Sequence, residues 1–311
     1  MKTISIIVPV YNEQDIIKDF HESLIKEINK IKDYNFNIKY VLDKSTDDTK
    51  LILSKIVSTC KKTSVICLSS RFGHQQSLIA GIDQSLNEDA IIMMDGDLQH
   101  PPSIIIDLLK EFEKGYDIVN TIRLEYKNFS LIKTFFSKFF YWFFEIMTNQ
   151  KINRNSADYR LVSKKISKII SEDFKEKNIF LRGVISLIGY RQTYIKYNPQ
   201  DRNKGKSKYG FIKSIIFAVQ GIVAFGARPL YLCFLIGLLL IFISIAIVAI
   251  LIVNYFLGST APPGWYTIVL LLFFFSGLNL LFMGIIGLYI GASYEEIKKR
   301  PIYLIEEIIK N

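Results

Sequence analysis

Short apolar runs alternate with longer amphipathic stretches in the first part of the chain. The pattern predicts buried strands at residues 4–10, 37–42, 64–68, 90–94 and 117–122. It also predicts helices at residues 13–31, 75–86 and 104–114, and Ser45 to Asp48 is typical of the N-terminus of a further helix. Strands that alternate with helices favour an α/β fold, in which a mostly parallel sheet is covered on both faces.

The last third of the chain has a different pattern. No Asp, Glu, Lys or Arg occurs between Arg228 and Glu295. Residues 230–253 and 265–292 are each long enough to span a hydrocarbon core of roughly 30 Å. Basic residues flank this region while the connection between the two stretches is uncharged, so both flanks are predicted to be cytoplasmic. Buried core helices are the alternative, which the length and the lack of charge disfavour.

These patterns divide the chain into four parts. Residues 1–210 are predicted to form a cytoplasmic α/β domain, residues 211–228 a juxtamembrane helix, residues 229–293 a transmembrane two-helix hairpin, and residues 294–311 a basic cytoplasmic tail. Within the first part, residues 129–147 predict a helix that mixes aromatic and basic side chains. This mixture suits either core packing or a position on anionic lipid, and the apolar segments that follow favour the lipid surface.

The overall charge narrows the choice of partners. The chain carries 39 basic and 29 acidic residues, a formal net charge of +10. Beside a membrane segment, this excess favours phosphorylated ligands or an anionic lipid surface over nucleic acid. Cys60, Cys67 and Cys233 show no metal or redox spacing and are expected to be reduced thiols. The first apolar run is too short for a signal peptide, so the chain is expected to start in the cytoplasm.

Polar residues follow the predicted strands, at the end of the sheet where ligands bind in parallel α/β proteins. Asn12 and Glu13 follow the first strand, Asp43 follows the second, and Asp95 and Asp97 follow the fourth. We therefore expect these side chains to share one rim. Two carboxylates one residue apart are typical oxygen ligands for a hard divalent cation that also binds phosphates. The alternative is an ordinary turn, because Asp-Gly is the commonest turn dipeptide.

Four motifs occur in one order along the chain. They are Val8-Pro9-Val10-Tyr11-Asn12-Glu13, Asp43 with Ser45-Thr46-Asp47-Asp48-Thr49, Phe72-Gly73-His74, and Asp95-Gly96-Asp97-Leu98-Gln99-His100-Pro101-Pro102. Together they resemble the family 2 glycosyltransferases with a GT-A fold. More narrowly, residues 4–308 are similar to the polyprenyl-phosphate glycosyltransferases, such as bactoprenol glucosyltransferases of the GtrB type and dolichol-phosphate mannose synthase. The resemblance implies a GT-A, Rossmann-like catalytic domain ahead of the transmembrane hairpin.

The resemblance assigns nucleotide-sugar contacts to the predicted rim. The residues that it places at the base and ribose are Pro9, Tyr11, Asn12, Glu13 and Asp43. It also implies that Asp97, with Asp95 and Gly96 beside it, contacts the ribose and diphosphate. Both carboxylates would hold Mg²⁺ or Mn²⁺, which would stabilise the charge of the departing diphosphate.

A further motif, Ala157-Asp158-Tyr159-Arg160, resembles the family segment whose aspartate is assigned the base role in an inverting displacement. A phosphate monoester acceptor has a second pKa of about 6 and is already largely dianionic near neutral pH. Asp158 is therefore expected either to act as a base or to orient a substrate. A salt bridge between Asp158 and Arg160 is the structural alternative. Arg182 and Arg160 are the candidates for contact with the acceptor phosphate.

The strongest basic cluster lies at residues 202–209 and resembles a family loop that closes over the diphosphate. Arg202, Ser207 and Lys208 are the predicted phosphate contacts. A solvated patch attracted to anionic headgroups is the alternative.

The turn after the second predicted strand departs from the family pattern. Leu42 cannot accept a hydrogen bond from a base, and Lys44 replaces a glycine whose backbone could need a positive φ. Arg71 also stands one position later than in relatives. These differences leave base selectivity open and raise the alternative of a catalytically impaired nucleotide-sugar-binding protein.

The sequence therefore predicts a metal-dependent, inverting glycosyltransferase. It would transfer one hexose from UDP-glucose or UDP-N-acetylglucosamine to undecaprenyl phosphate or a related polyprenyl phosphate, with GDP-mannose as the alternative donor. The product would be a lipid-linked sugar for modification of cell-envelope glycans. The expected location is the bacterial inner membrane, as a multi-pass protein with a cytoplasmic catalytic domain, and the family suggests a homo-oligomer. A processive synthase lacks support because the Gln-x-x-Arg-Trp motif is absent from the sequence.

Overall fold

The computed structural model describes residues 1–124, 145–147, 156–177, 179–198, 228–257 and 264–311. Three predicted features lie wholly or largely outside these residues. They are the helix at residues 129–147, the juxtamembrane helix at residues 211–228, and the basic loop with Arg202, Ser207 and Lys208. All three stay predictions.

The described residues form an eight-stranded sheet with the order β7-β5-β6-β4-β1-β2-β3-β8. Its strands are β1 Lys2–Val10, β2 Tyr34–Leu42, β3 Thr63–Leu68, β4 Ala90–Met93, β5 Ile118–Arg123, β6 Ser156–Ser163, β7 Gln192–Tyr197 and β8 Ile305–Lys310. Strand β1 pairs in parallel with β2 and β4, and β2 with β3, whereas β6 and the edge strand β8 run antiparallel to their neighbours. The predicted mostly parallel sheet is confirmed.

Helices cover both faces of the sheet, as predicted. They are α1 Ile17–Ile28, α2 Thr49–Thr59, α3 His74–Asp83, α4 Ile105–Glu113 after a 3₁₀ turn at Pro102–Ile104, α5 Lys164–Asp173, α6 Leu181–Ile188, α7 Arg228–Phe256 and α8 Trp265–Ile297. Successive side chains of a strand point to opposite faces. Accordingly, Ile6 and Val8 of β1 pack with α1, α2 and α4, while Ile7 packs with α3, α5 and α6. Both faces of β1 are buried because each carries its own apolar cluster.

Strand β8 was not predicted from the sequence. Its six residues alternate little, and they fall in the predicted basic tail at residues 294–311. The strand forms because β3 offers an open edge, along which Ser64 to Leu68 pair with Lys310 to Ile305. The chain therefore returns to the catalytic sheet after its last long helix.

Helices α7 and α8 contain 29 and 33 residues and contact each other. Large apolar side chains along both are exposed, including Phe234, Leu239, Leu272 and Leu280. Among the described residues, one stretch, Phe274–Ile297, is long and apolar enough to cross a membrane, and Arg228–Leu240 is a shorter apolar stretch. The two-span hairpin is therefore not confirmed and stays a prediction.

The packing of α3 on β1 gives a testable prediction. A Cβ atom on Gly81 would overlap the fully buried Ile7 side chain, with Ile7 Cδ1 at 3.1 Å. Replacing Gly81 with Ala should destabilise the fold by about 1–3 kcal/mol through overpacking, despite the better helix propensity of alanine. Thermal unfolding in detergent micelles should show a lower midpoint. Gly237→Ala is the matched control, because its Cβ would meet no atom within 4 Å among the described residues; equal midpoints for both variants would contradict the prediction.

Candidate active site

The loops that follow β1 and β2 are joined by side-chain hydrogen bonds. Asn12 has a φ of 51°, a left-handed conformation that asparagine tolerates better than most residues. Its backbone N–H donates to Ser45 Oγ at 3.1 Å, and its side-chain oxygen accepts the Thr46 N–H at 2.9 Å. The Glu13 N–H donates to Thr49 Oγ1 at 3.0 Å. The two loops therefore form one surface at the carboxyl ends of their strands.

Asp43 connects this surface to the turn between β3 and α3. Its two carboxylate oxygens accept the backbone N–H groups of Phe72 at 2.8 Å and Gly73 at 2.9 Å. Gly73 has a φ of 107°, which a side chain would strain. Asp43 is also only 4% exposed. Its carboxylate therefore holds the turn that begins α3, and its predicted contact with the base stays a prediction.

Asp95 lies between two histidines. His74, the first residue of α3, donates from Nε2 to Asp95 Oδ1 at 2.8 Å, and the Asp95 N–H donates to His100 Nδ1 at 2.9 Å. Although burial opposes the charged form, His100 and His74 hold the pKa of Asp95 well below its usual range. Burial likewise opposes charge on His74, but the Asp95 carboxylate raises the pKa of this histidine. The ionised form of Asp95 is thus strongly favoured.

His100 is a completely buried support beneath this loop. Its ring stacks on Tyr159 with centroids 5.2 Å apart, and Arg123 Nη2 lies 2.7 Å from His100 Nε2. Burial lowers the pKa of His100. Neither His74 nor His100 was predicted as a site residue, because their roles depend on contacts between distant loops.

Asp97 lies beyond this support, in a strained turn. Asp97 Oδ1 accepts the Gln99 N–H at 3.2 Å, and Leu98 between them has a φ of 62°. Such a conformation is costly for a leucine and is typical of functional loops. Gly96 packs closely on β1, because a Cβ at this position would lie 3.2 Å from Val8 Cγ1. The segment therefore forms a turn, and this turn also carries Asp97, the predicted site residue.

The carboxylates fit a cation that is held jointly with a ligand. Within the described ranges, no group of three or more His, Cys, Asp or Glu side chains could hold a metal ion. Mg²⁺ is usually bound by one or two carboxylates together with substrate phosphates. Asp97 suits this arrangement, and the hydrogen bond from His74 to Asp95 fixes the loop beside it.

Asp158, in β6, is held by two arginines. Arg182 Nε and Nη2 donate to its two oxygens, each at 2.8 Å, and Arg160 Nη2 donates to Oδ1 at 3.1 Å. Burial alone would raise the pKa of Asp158, but Arg182 and Arg160 hold it well below the usual range. The predicted salt bridge between Asp158 and Arg160 is present, and a stronger bidentate pair with Arg182 accompanies it.

The two arginines differ in access to solvent. The Arg182 side chain is 34% exposed, whereas that of Arg160 is 1% exposed. Arg160 also donates to the Ala157 carbonyl, and its Nε has no partner among the described residues. Burial lowers the pKa of Arg160 to about 10. This geometry favours Arg182 over Arg160 for contact with a ligand.

The residues near the predicted base site show how the departures from the family pattern are accommodated. Leu42 is 4% exposed and belongs to the apolar core, so its side chain is not at the rim. Lys44 does not have a positive φ. Its Nζ lies 3.3 Å from Glu306 Oε2 of β8, with which it forms an ion pair. The Arg71 guanidinium lies over the Tyr11 ring, 4.1 Å from its centroid. Pro9 lies in β1, in register with Val41 of β2.

Comparison with known proteins establishes the family. The model of glycosyl transferase family 2 matches residues 5–168. The chain is 35% identical over 304 residues to the putative glycosyltransferase CsbB of Bacillus subtilis, covering 98% of this chain and 91% of that protein. It is 30% identical over 307 residues to the prophage bactoprenol glucosyl transferase homolog of Escherichia coli, covering 99% of each. The chain belongs to glycosyl transferase family 2, and the predicted GT-A catalytic domain and glycosyltransferase class are confirmed.

One solved structure with a similar fold is mannosyl-3-phosphoglycerate synthase from Rubrobacter xylanophilus. The TM-score is 0.49 at 14% sequence identity, over 74% of each chain.

The contacts of Asp43 predict a loss of stability on a small change. In Asp43→Asn, the side-chain NH₂ would face the backbone N–H of either Phe72 or Gly73, each of which now donates a hydrogen bond to the carboxylate. Leaving that buried donor unpaired should cost about 1–3 kcal/mol. The thermal midpoint in detergent should fall, while Asp48→Asn, an exposed helix N-cap residue without a capping hydrogen bond, should leave it unchanged. Equal midpoints for the two variants would refute the structural role of Asp43.

Proposed function

We propose that this protein transfers glucose from UDP-glucose to undecaprenyl phosphate or a related polyprenyl phosphate, with inversion at the anomeric carbon. The observation that carries the proposal is the composition of the rim. A carboxylate suited to a diphosphate-bound cation, Asp97, lies two residues from Asp95, and His74, which bonds to Asp95, interacts electrostatically with the partly exposed Arg182 guanidinium. The name of the relative from Escherichia coli, which matches over nearly the whole chain, supports this donor sugar and acceptor class.

On the donor side, we assign the base and ribose to Pro9, Tyr11, Asn12, Glu13 and Asp43. Asp97 would hold Mg²⁺ or Mn²⁺ together with the donor phosphates, and the ion would supply positive charge against the departing diphosphate. Asp95 and Gly96 would shape the loop that presents Asp97, since Asp95 is fixed by His74. Arg202, Ser207 and Lys208 remain the proposed cover of the diphosphate.

On the acceptor side, a phosphate oxygen of the lipid would attack the anomeric carbon. The bond from this carbon to the diphosphate oxygen breaks, and the nucleoside diphosphate leaves with the electron pair. The acceptor is largely dianionic near neutral pH, because its second pKa is about 6, so no proton must be removed. Guanidinium groups suit phosphate recognition because their donors match its geometry. We therefore assign the acceptor phosphate to Arg182.

Asp158 would act mainly by placing Arg182. A carboxylate whose pKa is held well below the usual range is a weak base, and both of its oxygens already accept hydrogen bonds from Arg182. Arg160, which is buried beside Asp158, would support this carboxylate rather than contact the lipid. Of the two roles considered for Asp158, orientation is the better supported.

We further propose that α7 and α8 anchor the enzyme in the bacterial inner membrane as two spans, with the catalytic domain in the cytoplasm. Support comes from the exposed apolar side chains of both helices, from Phe274–Ile297 as a candidate span, and from the distribution of basic residues. The lipid-linked product would serve envelope glycan modification. Self-association is a prediction from the family resemblance.

The reaction is tested by supplying purified protein with undecaprenyl phosphate, Mg²⁺ or Mn²⁺, and a panel of labelled sugars. The panel contains UDP-glucose, UDP-N-acetylglucosamine and GDP-mannose. We expect a glucosyl lipid from UDP-glucose, and a fall of about 100-fold or more in rate for Asp97→Asn, because a main electrostatic contribution to leaving-group stabilisation is lost. Asp107→Asn, which alters an exposed carboxylate paired with Lys110, is the matched control. Transfer from another donor would reassign the sugar, and no transfer from any donor would refute the proposal.

The membrane arrangement has a separate test. In a variant whose Cys60, Cys67 and Cys233 are replaced by Ser, a single cysteine is introduced at Ser259, in the connection between the two proposed spans. We expect labelling by a membrane-impermeant maleimide in intact spheroplasts, because this connection would lie outside the cytoplasm. A cysteine at Lys61 should be labelled only after lysis. Protection of the cysteine at position 259 until lysis would contradict the two-span hairpin.

A further inference from the structure

The end of α8 contacts the segment that carries Arg182. Glu296 Oε1 accepts the backbone N–H of Lys177 at 2.8 Å, and Glu295 forms an ion pair with Lys177 Nζ. Lys177 lies in the connection between α5 and α6, and Arg182 is the second residue of α6. The last turn of the long apolar helix is therefore bonded directly to the connection that leads to the proposed acceptor site.

The same connection is bonded to the beginning of α3. Gln76 Nε2 donates to the Lys177 carbonyl at 3.1 Å, and Gln75 Oε1 accepts the Leu181 N–H at 3.1 Å. His74, the residue before Gln75, donates to Asp95. The connection is thus fixed on one side by α8 and on the other by the helix that supports the donor site.

The far end of α3 is also held by residues that follow α8. Tyr303 donates to Asp83 Oδ2 at 2.6 Å, and Asp83 is the last residue of α3. Beyond Tyr303, β8 pairs with β3. Residues at and after the end of α8 therefore hold both ends of α3: Glu296 through Lys177 at the start, and Tyr303 directly at the end.

We infer that Glu295 and Glu296 are positioning residues for the acceptor site, which hold Arg182 in place through Lys177. This inference rests on the proposed function, in which Arg182 contacts the lipid phosphate. Arg182 must meet a phosphate whose depth is set by the membrane, and α8 is the candidate membrane span. A bond between the end of this span and the connection that carries Arg182 would fix the arginine at a constant distance from the lipid surface.

A purely structural surface contact is the alternative. The Lys177 and Glu295 side chains are 36% and 34% exposed, and ion pairs this open to solvent contribute little to stability. A structural role would therefore change stability slightly or affect both substrates alike. A positioning role would change the apparent affinity for the acceptor alone.

The test compares Glu296→Ala with Glu296→Gln in enzyme reconstituted in lipid nanodiscs. Glutamine keeps an oxygen that accepts the Lys177 N–H, whereas alanine removes it. We expect Glu296→Ala to raise KM for undecaprenyl phosphate by about 3- to 10-fold, as is usual for residues coupled to a site through others, with KM for the nucleotide sugar changed by less than about 2-fold. Glu296→Gln should restore the wild-type acceptor KM. The double variant Glu295→Ala, Glu296→Ala should show the larger effect.

Glu307→Ala is the matched control, because Glu307 of β8 forms an exposed ion pair with Lys50 of α2 rather than with Lys177. It should leave both KM values unchanged. An unchanged acceptor KM in Glu296→Ala, an equal rise in both KM values, or loss of folding would each overturn the inference. If the wild-type enzyme transfers sugar, each of these results would overturn the inference alone and not the proposed function. Wild-type enzyme that neither binds nor glycosylates a polyprenyl phosphate would overturn both.

Discussion

A carboxylate that is buried in a protein must be paired with positive charge, since an isolated buried ion is strongly destabilising. In this chain the constraint falls on Asp158, whose side chain is 8% exposed and is held by Arg182 and Arg160. The pairing fixes the start of α6 against β6. The two arginines differ in access to solvent, because Arg182 is partly exposed whereas Arg160 is buried. Removal of Asp158 would leave the buried Arg160 guanidinium without its carboxylate partner.

Two other carboxylates, Asp43 and Asp95, are also held by hydrogen bonds to a neighbouring loop. Asp43 holds the turn before α3, and His74 at the start of α3 holds Asp95. Each of these carboxylates joins loops that follow different strands, and Gln75, beside His74, accepts the Leu181 N–H beside Arg182. The proposed donor and acceptor surfaces are therefore connected by hydrogen bonds. Such networks are rigid when their members are satisfied, which suits electrostatic catalysis by groups placed in advance. The strain at Leu98 lies beside Asp97, where the network meets the proposed metal.

The sequence pattern predicted strands β1 to β5 and the helices between them because burial dictates their composition, whereas β6 and β7 were not predicted. It predicted that residues after three strands share a rim because parallel strands end on one side. Strand β8 escaped prediction, since its pairing with β3 depends on where a distant helix returns the chain. The bidentate pair of Asp158 with Arg182 was not predicted either, because it joins two segments that are separated in the sequence. Leu42 and Lys44, which suggested an impaired donor site, have ordinary physical explanations: the first is a core residue and the second adopts no positive φ among the described residues.

The central claim is that a lipid phosphate meets the enzyme at Arg182. Photo-crosslinking tests it most directly, with a polyprenyl phosphate analogue that carries a photoreactive group beside the phosphate, in nanodiscs, followed by mass spectrometry of the labelled peptides. We expect label on the peptide that contains Arg182, at the start of α6, and competition by unlabelled undecaprenyl phosphate. Label confined to α7 and α8, without competition, would contradict the claim.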